Sequence, residues 1–130
     1  MLTRSGSADV AVDPRTVVRA FFDALQERDH ERALALIAED AVLCRNGGDE
    51  APLRILAHPK VVAMTEAALG RHRYEDVRTV VEGRTVVEQH RVRSTTPAGT
   101  EIDADVCAVL QLDLDGRITR LDEYADLSIG

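Results

Sequence analysis

Tryptophan is absent from this chain of 130 residues, and phenylalanine and tyrosine occur twice each. A core built from such a sequence must be aliphatic. Cysteine is equally scarce. Cys44 and Cys107 lie far apart, form no CxxC pair and follow no secretory leader, so both read as reduced thiols of a cytoplasmic protein. The opening MLTRSGSADVAVD lacks an apolar h-region, and no run approaches the roughly 20 apolar residues of a bilayer span. Positive charge is also short: 16 Lys and Arg stand against 23 Asp and Glu, for a net charge of −7. Such a surface repels phosphate backbones and anionic lipid, which argues against nucleic-acid and membrane partners. His30, His58, His72 and His90 fall in no HxH or HExxH spacing, and Asn46-Gly47-Gly48 lacks the lysine and the strand-to-helix setting of a phosphate loop. No metal and no nucleotide cofactor is expected.

What is present suffices for one domain over residues 13–130, burying about two-thirds of the surface of its unfolded chain, behind a loose polar tail at 1–12. Asp13-Pro14 reads as an N-cap and first helical residue, and Val17, Val18, Phe21, Phe22 and Leu25 share one helical stripe ending near Arg28. Asp29 caps an expected second helix from His30 to Ala38, with Ala33, Leu34, Leu36 and Ile37 as its buried face. Ala41–Cys44 suits a short strand, residues 46–57 a loop or lid. His58-Pro59 opens a third helix carrying Val61, Val62, Met64 and Leu69, with Gly70 at its end. Beyond Gly70 the apolar period falls to two, giving strands at Tyr74–Val81, Thr85–Ser94, Ala104–Leu112 and Arg117–Tyr124. The last two form a hairpin about LDLDG, where Asp115-Gly116 accepts the left-handed backbone of a tight reversal. Helices followed by strands indicate an α+β fold.

Two stretches, VVRAFFDALQERDHERALALIAEDAVL near the start and VLQLDLDGRITRLDEYAD near the end, resemble the nuclear transport factor 2-like superfamily, in particular its SnoaL-like polyketide cyclase and limonene-epoxide hydrolase branches. The resemblance implies a cone in which a curved antiparallel or mixed sheet curls over three N-terminal helices around an apolar pocket, commonly as a homodimer. In ketosteroid isomerases of this superfamily a helix-one tyrosine and a first-strand aspartate do the chemistry. Here those positions read Phe21, which donates no hydrogen bond, and Arg45, which is no base. Limonene-epoxide hydrolases carry Tyr-x-Asn, Arg-x-Asp and a last-strand Asp before tyrosine. This chain offers Leu43-Cys44-Arg45 or Cys44-Arg45-Asn46, then Gln89-His90-Arg91 or Arg91-Val92-Arg93, and keeps the last acid as Glu123 before Tyr124.

Folding the middle strands about Pro97-Ala98 sets Arg93 opposite Ile102, Arg91 opposite Ala104 and Gln89 opposite Val106, all on one face by two-residue alternation. The resemblance makes this the pocket face, puts Glu123 on its wall, and adds Phe21, Leu121 and Tyr124 to the lining, Tyr124 as a packing residue. His90 then shares the outer face with Asp105, and Val92, Cys107 and Val109 offer a sheet-to-sheet dimer surface. Glu123 and Arg91 read either as catalytic base and oxyanion-stabilising guanidinium, as a structural ion pair, or as a solvated edge. Asp126 lies opposite Glu123 if the strand stays regular.

The expected function is that of a small cofactor-independent enzyme doing acid–base chemistry on a hydrophobic, carbonyl-bearing metabolite: a cyclase, isomerase or dehydratase. A non-catalytic ligand-binding or dimerisation module is the competing class. An epoxide hydrolase or epoxide-opening cyclase stands third and requires a second inward carboxylate, such as Asp105 or Asp126.

Overall fold

The computed structural model describes residues 12–129, so the tail expected at 1–12 lies, except for Val12, outside the described residues. Asp13 caps helix α1 (Pro14–Glu27), its carboxylate accepting from the Arg15 amide at 3.0 Å. Val17, Val18, Phe21 and Phe22 form its buried stripe. Helix α2 (His30–Ala35) is capped by Asp29 but stops short of Ala38. The chain turns at Leu36 because the Leu36 carbonyl accepts from the Ile118 amide at 2.8 Å, starting a parallel pairing with the last strand. Ile37 and Ala38 are therefore buried as strand residues, not as a helix face.

Strand β1 (Ile37–Arg45) is followed by a short β2 (Glu50–Pro52), a 3-10 turn (Leu53–Ala57) and α3 (Pro59–Leu69). The segment expected to be loop from 46 to 57 thus carries two elements, anchored by the wholly buried Leu53 and Ala57. Strands β3 (Arg73–Glu82), β4 (Thr85–Thr95), β5 (Glu101–Leu112) and β6 (Ile118–Ile129) complete a six-stranded sheet of order β2-β1-β6-β5-β4-β3, mixed because β1 runs parallel to β6. Three helices pack on one side of this curved open sheet, an α+β cone.

The β5–β6 hairpin turns where the sequence places it, with Gly116 at φ 81° and the Asp113 carboxylate accepting from the Asp115 and Arg117 amides. The β4–β5 register differs from expectation by one residue: Arg93 pairs with Asp103, Arg91 with Asp105 and Gln89 with Cys107. A one-residue slip exchanges the faces of a strand. The inner face of β4 accordingly carries Val86, Glu88, His90, Val92 and Ser94, while Gln89, Arg91 and Arg93 face outward.

The core lies between α1 and the inner sheet face, where Val18, Phe21, Val86, Leu110, Ile118 and Leu121 are fully enclosed. Burying each such side chain contributes about 1.5–3 kcal/mol. Helix α3 differs: none of its residues is buried, and Met64 is 71% exposed. Its end is seated by Gly70, at φ 78°, where any Cβ would run into the Thr95 carbonyl of β4. The core therefore fills one end of the cone and leaves the end under α3 open.

Candidate functional site

That open end is a cavity of about 250 Å3, enclosed by α1, α2, α3 and the inner faces of β4, β5 and β6. Its wall is mainly apolar, with Phe22, Leu25, Val61, Val62, Val92, Ile102, Ala104, Val106 and Leu121 among the lining residues. Small side chains on β5 make the space. Ala104 and Val106 stand where larger residues would meet the helices.

Polar groups enter this wall from several elements, with Asp29, Glu66 and Ser94 among them. Glu123 projects from β6, its side chain 19% exposed, and its Oε1 accepts from Arg45 Nε at 3.0 Å. The strand end that carries it is clamped: the Asn46 amide donates to the Glu123 carbonyl at 2.8 Å, and Asn46 Oδ1 accepts from the Ala125 amide at 3.0 Å. Asn46 adopts φ 51°, a left-handed conformation that asparagine tolerates, and this turn brings Arg45 beside the carboxylate. Across the sheet, Tyr74, His72 and His90 form an aromatic cluster with Phe22. Tyr74 lies 4.7 Å from the His90 ring and 5.4 Å from Phe22 by centroid, and its hydroxyl is 3.1 Å from His72 Nε2.

Electrostatics in this cluster favour neutral forms. Burial, reinforced by the negative charges of Glu123 and Glu88, pushes the Tyr74 hydroxyl pKa far up, so the phenol keeps its proton as a hydrogen-bond donor. Burial, with the positive charge of Arg28 and then the nearby His90 ring adding to it, lowers the His72 pKa and keeps that imidazole uncharged near neutrality. At the rim, Arg28 is tied to Glu66 of α3 at 2.7 Å. The site thus holds an anchored carboxylate, a protonated phenol and a neutral imidazole on the wall of one mainly apolar cavity.

Of the residues singled out from the sequence, Glu123, Ala104, Val106 and Leu121 line the cavity. Arg91, Arg93 and Gln89 do not; the register places them outside, where Arg91 pairs with Asp103 and Asp105 and Arg93 with Glu75. Phe21 is wholly buried in the core, one helical step from the lining, and Phe22 takes the position at the cavity. Tyr124 alternates away from Glu123 and is 49% exposed, and Asp126 shares its face beside an open outer groove. His90 moves the other way, from the expected surface to an inner position where it is 5% exposed. Val92 also turns inward, leaving Cys107 and Val109 on the outer face. The expected site lacked Tyr74, His72, His90 and Arg45. A signal for His90 was present: its alternation partners include Val86 and Val92, whereas the other parity holds two arginines and a glutamine.

The sequence model of the SnoaL-like domain matches residues 18–121. The chain belongs to the SnoaL-like family. Solved structures with the same NTF2-like fold include an NTF2-like protein of Burkholderia xenovorans, at 18% identity and TM-score 0.72 over 90% of this chain and 92% of that one. A limonene-epoxide-hydrolase-like epoxide hydrolase of Mycobacterium tuberculosis superposes at 24% identity and TM-score 0.73, over 89% of this chain and 84% of that one. A proposed polyketide cyclase of Xanthomonas campestris pv. campestris does so at 22% identity and TM-score 0.75, over 87% and 90%. No curated protein matches the chain in sequence. At these identities the likeness is one of fold, and chemistry within the SnoaL-like cone must be argued from the cavity itself. Among the described residues no cluster of three or more metal-ligating side chains occurs, and no helix is long and apolar enough to cross a membrane.

Proposed function

We propose that this SnoaL-like protein is a cofactor-independent acid–base enzyme acting on a small apolar molecule that bears a carbonyl group. The observation that carries the reading is Glu123, held at the wall of an apolar cavity that also presents the protonated hydroxyl of Tyr74. Glu123 takes the proton from the carbon next to the carbonyl. The electron pair of that C–H bond becomes the double bond of an enolate, whose oxygen accepts a hydrogen bond from Tyr74. This role replaces the one expected of Arg91, which stands on the other face of the sheet. The enolate then proceeds to cyclisation, isomerisation or dehydration according to the guest.

His72 supports the donor. Its Nε2 lies 3.1 Å from the phenolic oxygen, and in the Nε2–H tautomer it donates there and leaves the Tyr74 hydrogen for the guest. Arg45 orients Glu123 through the 3.0 Å contact from its Nε to Oε1, with the guanidinium on the water side of the pair and the carboxylate on the cavity side. Neighbours assigned to polyketide cyclisation and epoxide hydrolysis are consistent with small hydrophobic guests. Epoxide opening receives less support. Asp105, its side chain 77% exposed, and Asp126 face outward, so neither supplies the second carboxylate.

Replacing Glu123 by Gln tests the reading. With a panel of apolar ketones and β-dicarbonyl compounds, the variant is expected to retain its fold and its binding while solvent-deuterium exchange beside the carbonyl falls by about 10²–10⁴-fold. Exchange at the unaltered rate would end the proposal and leave a ligand-binding module as the reading.

A further inference from the structure

Glu88 is a second carboxylate on the inner sheet face, and the chemistry above does not use it. It is 2% exposed and does not line the cavity. Its Oε1 accepts from the Thr79 hydroxyl at 3.4 Å, and its Oε2 lies 3.4 Å from Nδ1 of His90. That second contact is too poorly aligned for a hydrogen bond, and Nδ1 is a buried nitrogen without a partner. The imidazole itself lines the cavity, held edge-on to Phe22 at 5.0 Å and tilted against Tyr74. Since Nδ1 is turned to Glu88, the cavity is left to Nε2.

A carboxylate removed from water needs donors, and the Thr79 hydroxyl alone is a long one. The buried Nδ1 is the natural second donor, needing only a small rotation to align. We infer that Glu88 is a positioning residue that holds His90 as the Nδ1–H tautomer, leaving the Nε2 lone pair aimed at the guest. What His90 does with that lone pair rests on the acid–base reading above; the tautomer does not.

The register supplies the consequence. Glu88, Ala108 and Glu123 form one row across β4, β5 and β6, while His90 pairs with Val106, a lining residue. Neighbouring strands are about 4.8 Å apart, so His90 and Glu123 rise from backbones on opposite sides of β5. A guest lying over Val106 meets Glu123 on one side and His90 on the other. Nε2 there takes a proton from a hydroxyl of the guest, forming an N–H bond as the O–H bond breaks. The charge left on that oxygen faces an imidazolium stabilised by Glu88. The substrate class this arrangement fits is a hydroxy-carbonyl compound, with the hydroxyl at the β4 side of the cavity.

The tautomer can be read without substrate, from long-range 1H–15N correlation spectra of the 15N-histidine-labelled protein at about pH 8, where an ordinary imidazole is neutral. His90 is expected to carry its proton on Nδ1 and to switch to Nε2–H in Glu88→Leu. In Glu88→Gln the amide oxygen still accepts, so Nδ1–H is retained. An Nε2–H signal in the unaltered protein, or Nδ1–H surviving in Glu88→Leu, would overturn the inference. Should Glu88→Leu fail to fold, the spectrum of the unaltered protein decides. That result leaves the Glu123 reading untouched, just as unaltered exchange in Glu123→Gln would leave the tautomer assignment standing.

Discussion

The two faces of β4 carry ionisable side chains in alternation, and the sheet treats them in opposite ways. Outside, Arg91 and Arg93 lie in a ladder of ion pairs with Asp103, Asp105 and Glu75, all partly open to water. Inside, Glu88 and His90 are almost fully enclosed and share one imperfect contact. Exposed pairs gain little, because water screens them and long side chains lose freedom to make them. Enclosed groups have no such relief, so each must find a partner, change its protonation or stay poised. The proposed chemistry therefore uses the face with less water, which is the reverse of where counting charges would put it.

The largest effect that would sharpen this contrast is the loss of about 10²–10⁴-fold in carbonyl-adjacent exchange on Glu123→Gln, with no comparable loss when the outward Asp105 becomes Asn. Next in size is the core that holds the inner face in place. Leu110 is wholly buried, and Leu110→Ala is expected to lower unfolding free energy by about 2–5 kcal/mol in denaturant titration. A smaller effect follows from His72. Its pKa is lowered in the folded state, so below its ordinary value of about 6.5 the unfolded chain binds more protons and stability is lost as the pH is lowered. Above that value both states are neutral and the contribution is constant. His72→Gln should therefore flatten the stability profile on the acid side, as read by melting temperature between about pH 5 and 8. Smallest is Arg91→Ala, for which neither exchange nor melting temperature is expected to move beyond experimental scatter. A large loss of activity in Arg91→Ala would erase the distinction between the faces.

Much of the fold was legible. Asp13-Pro14, the apolar stripe of α1, the shift to a two-residue period after Gly70 and the Asp113–Gly116 reversal are local signals, and each marks the element it should. The site was legible only in part. Glu123, Leu121, Ala104 and Val106 were placed on the pocket wall by the family resemblance, and all four line the cavity. The β4 residues failed because their face depended on the turn at Pro97-Ala98; the chain closes it with Thr96 and Thr100 bonded across Gly99, one residue from the expected register, and every β4 side chain lies on the face opposite to expectation. The alternation itself argued the other way, since Val86 and Val92 mark the dry face of β4.

Other misses have a longer range. The end of α2 at Ala35 is dictated by Ile118, more than eighty positions later in the chain, and no local propensity reports such a partner. The aromatic cluster likewise joins Phe22, Tyr74 and His90 from three separate elements. By itself the sequence determined an aliphatic α+β domain, because composition, caps, turns and apolar period act over a few residues, and its SnoaL-like kind came from the resemblance carried by two stretches of the chain. Which face of β4 meets the cavity, and hence that His90 and not Arg91 stands across from Glu123, was decided only in the assembled sheet. There, hydrogen bonding between strands sets a register that no single strand contains.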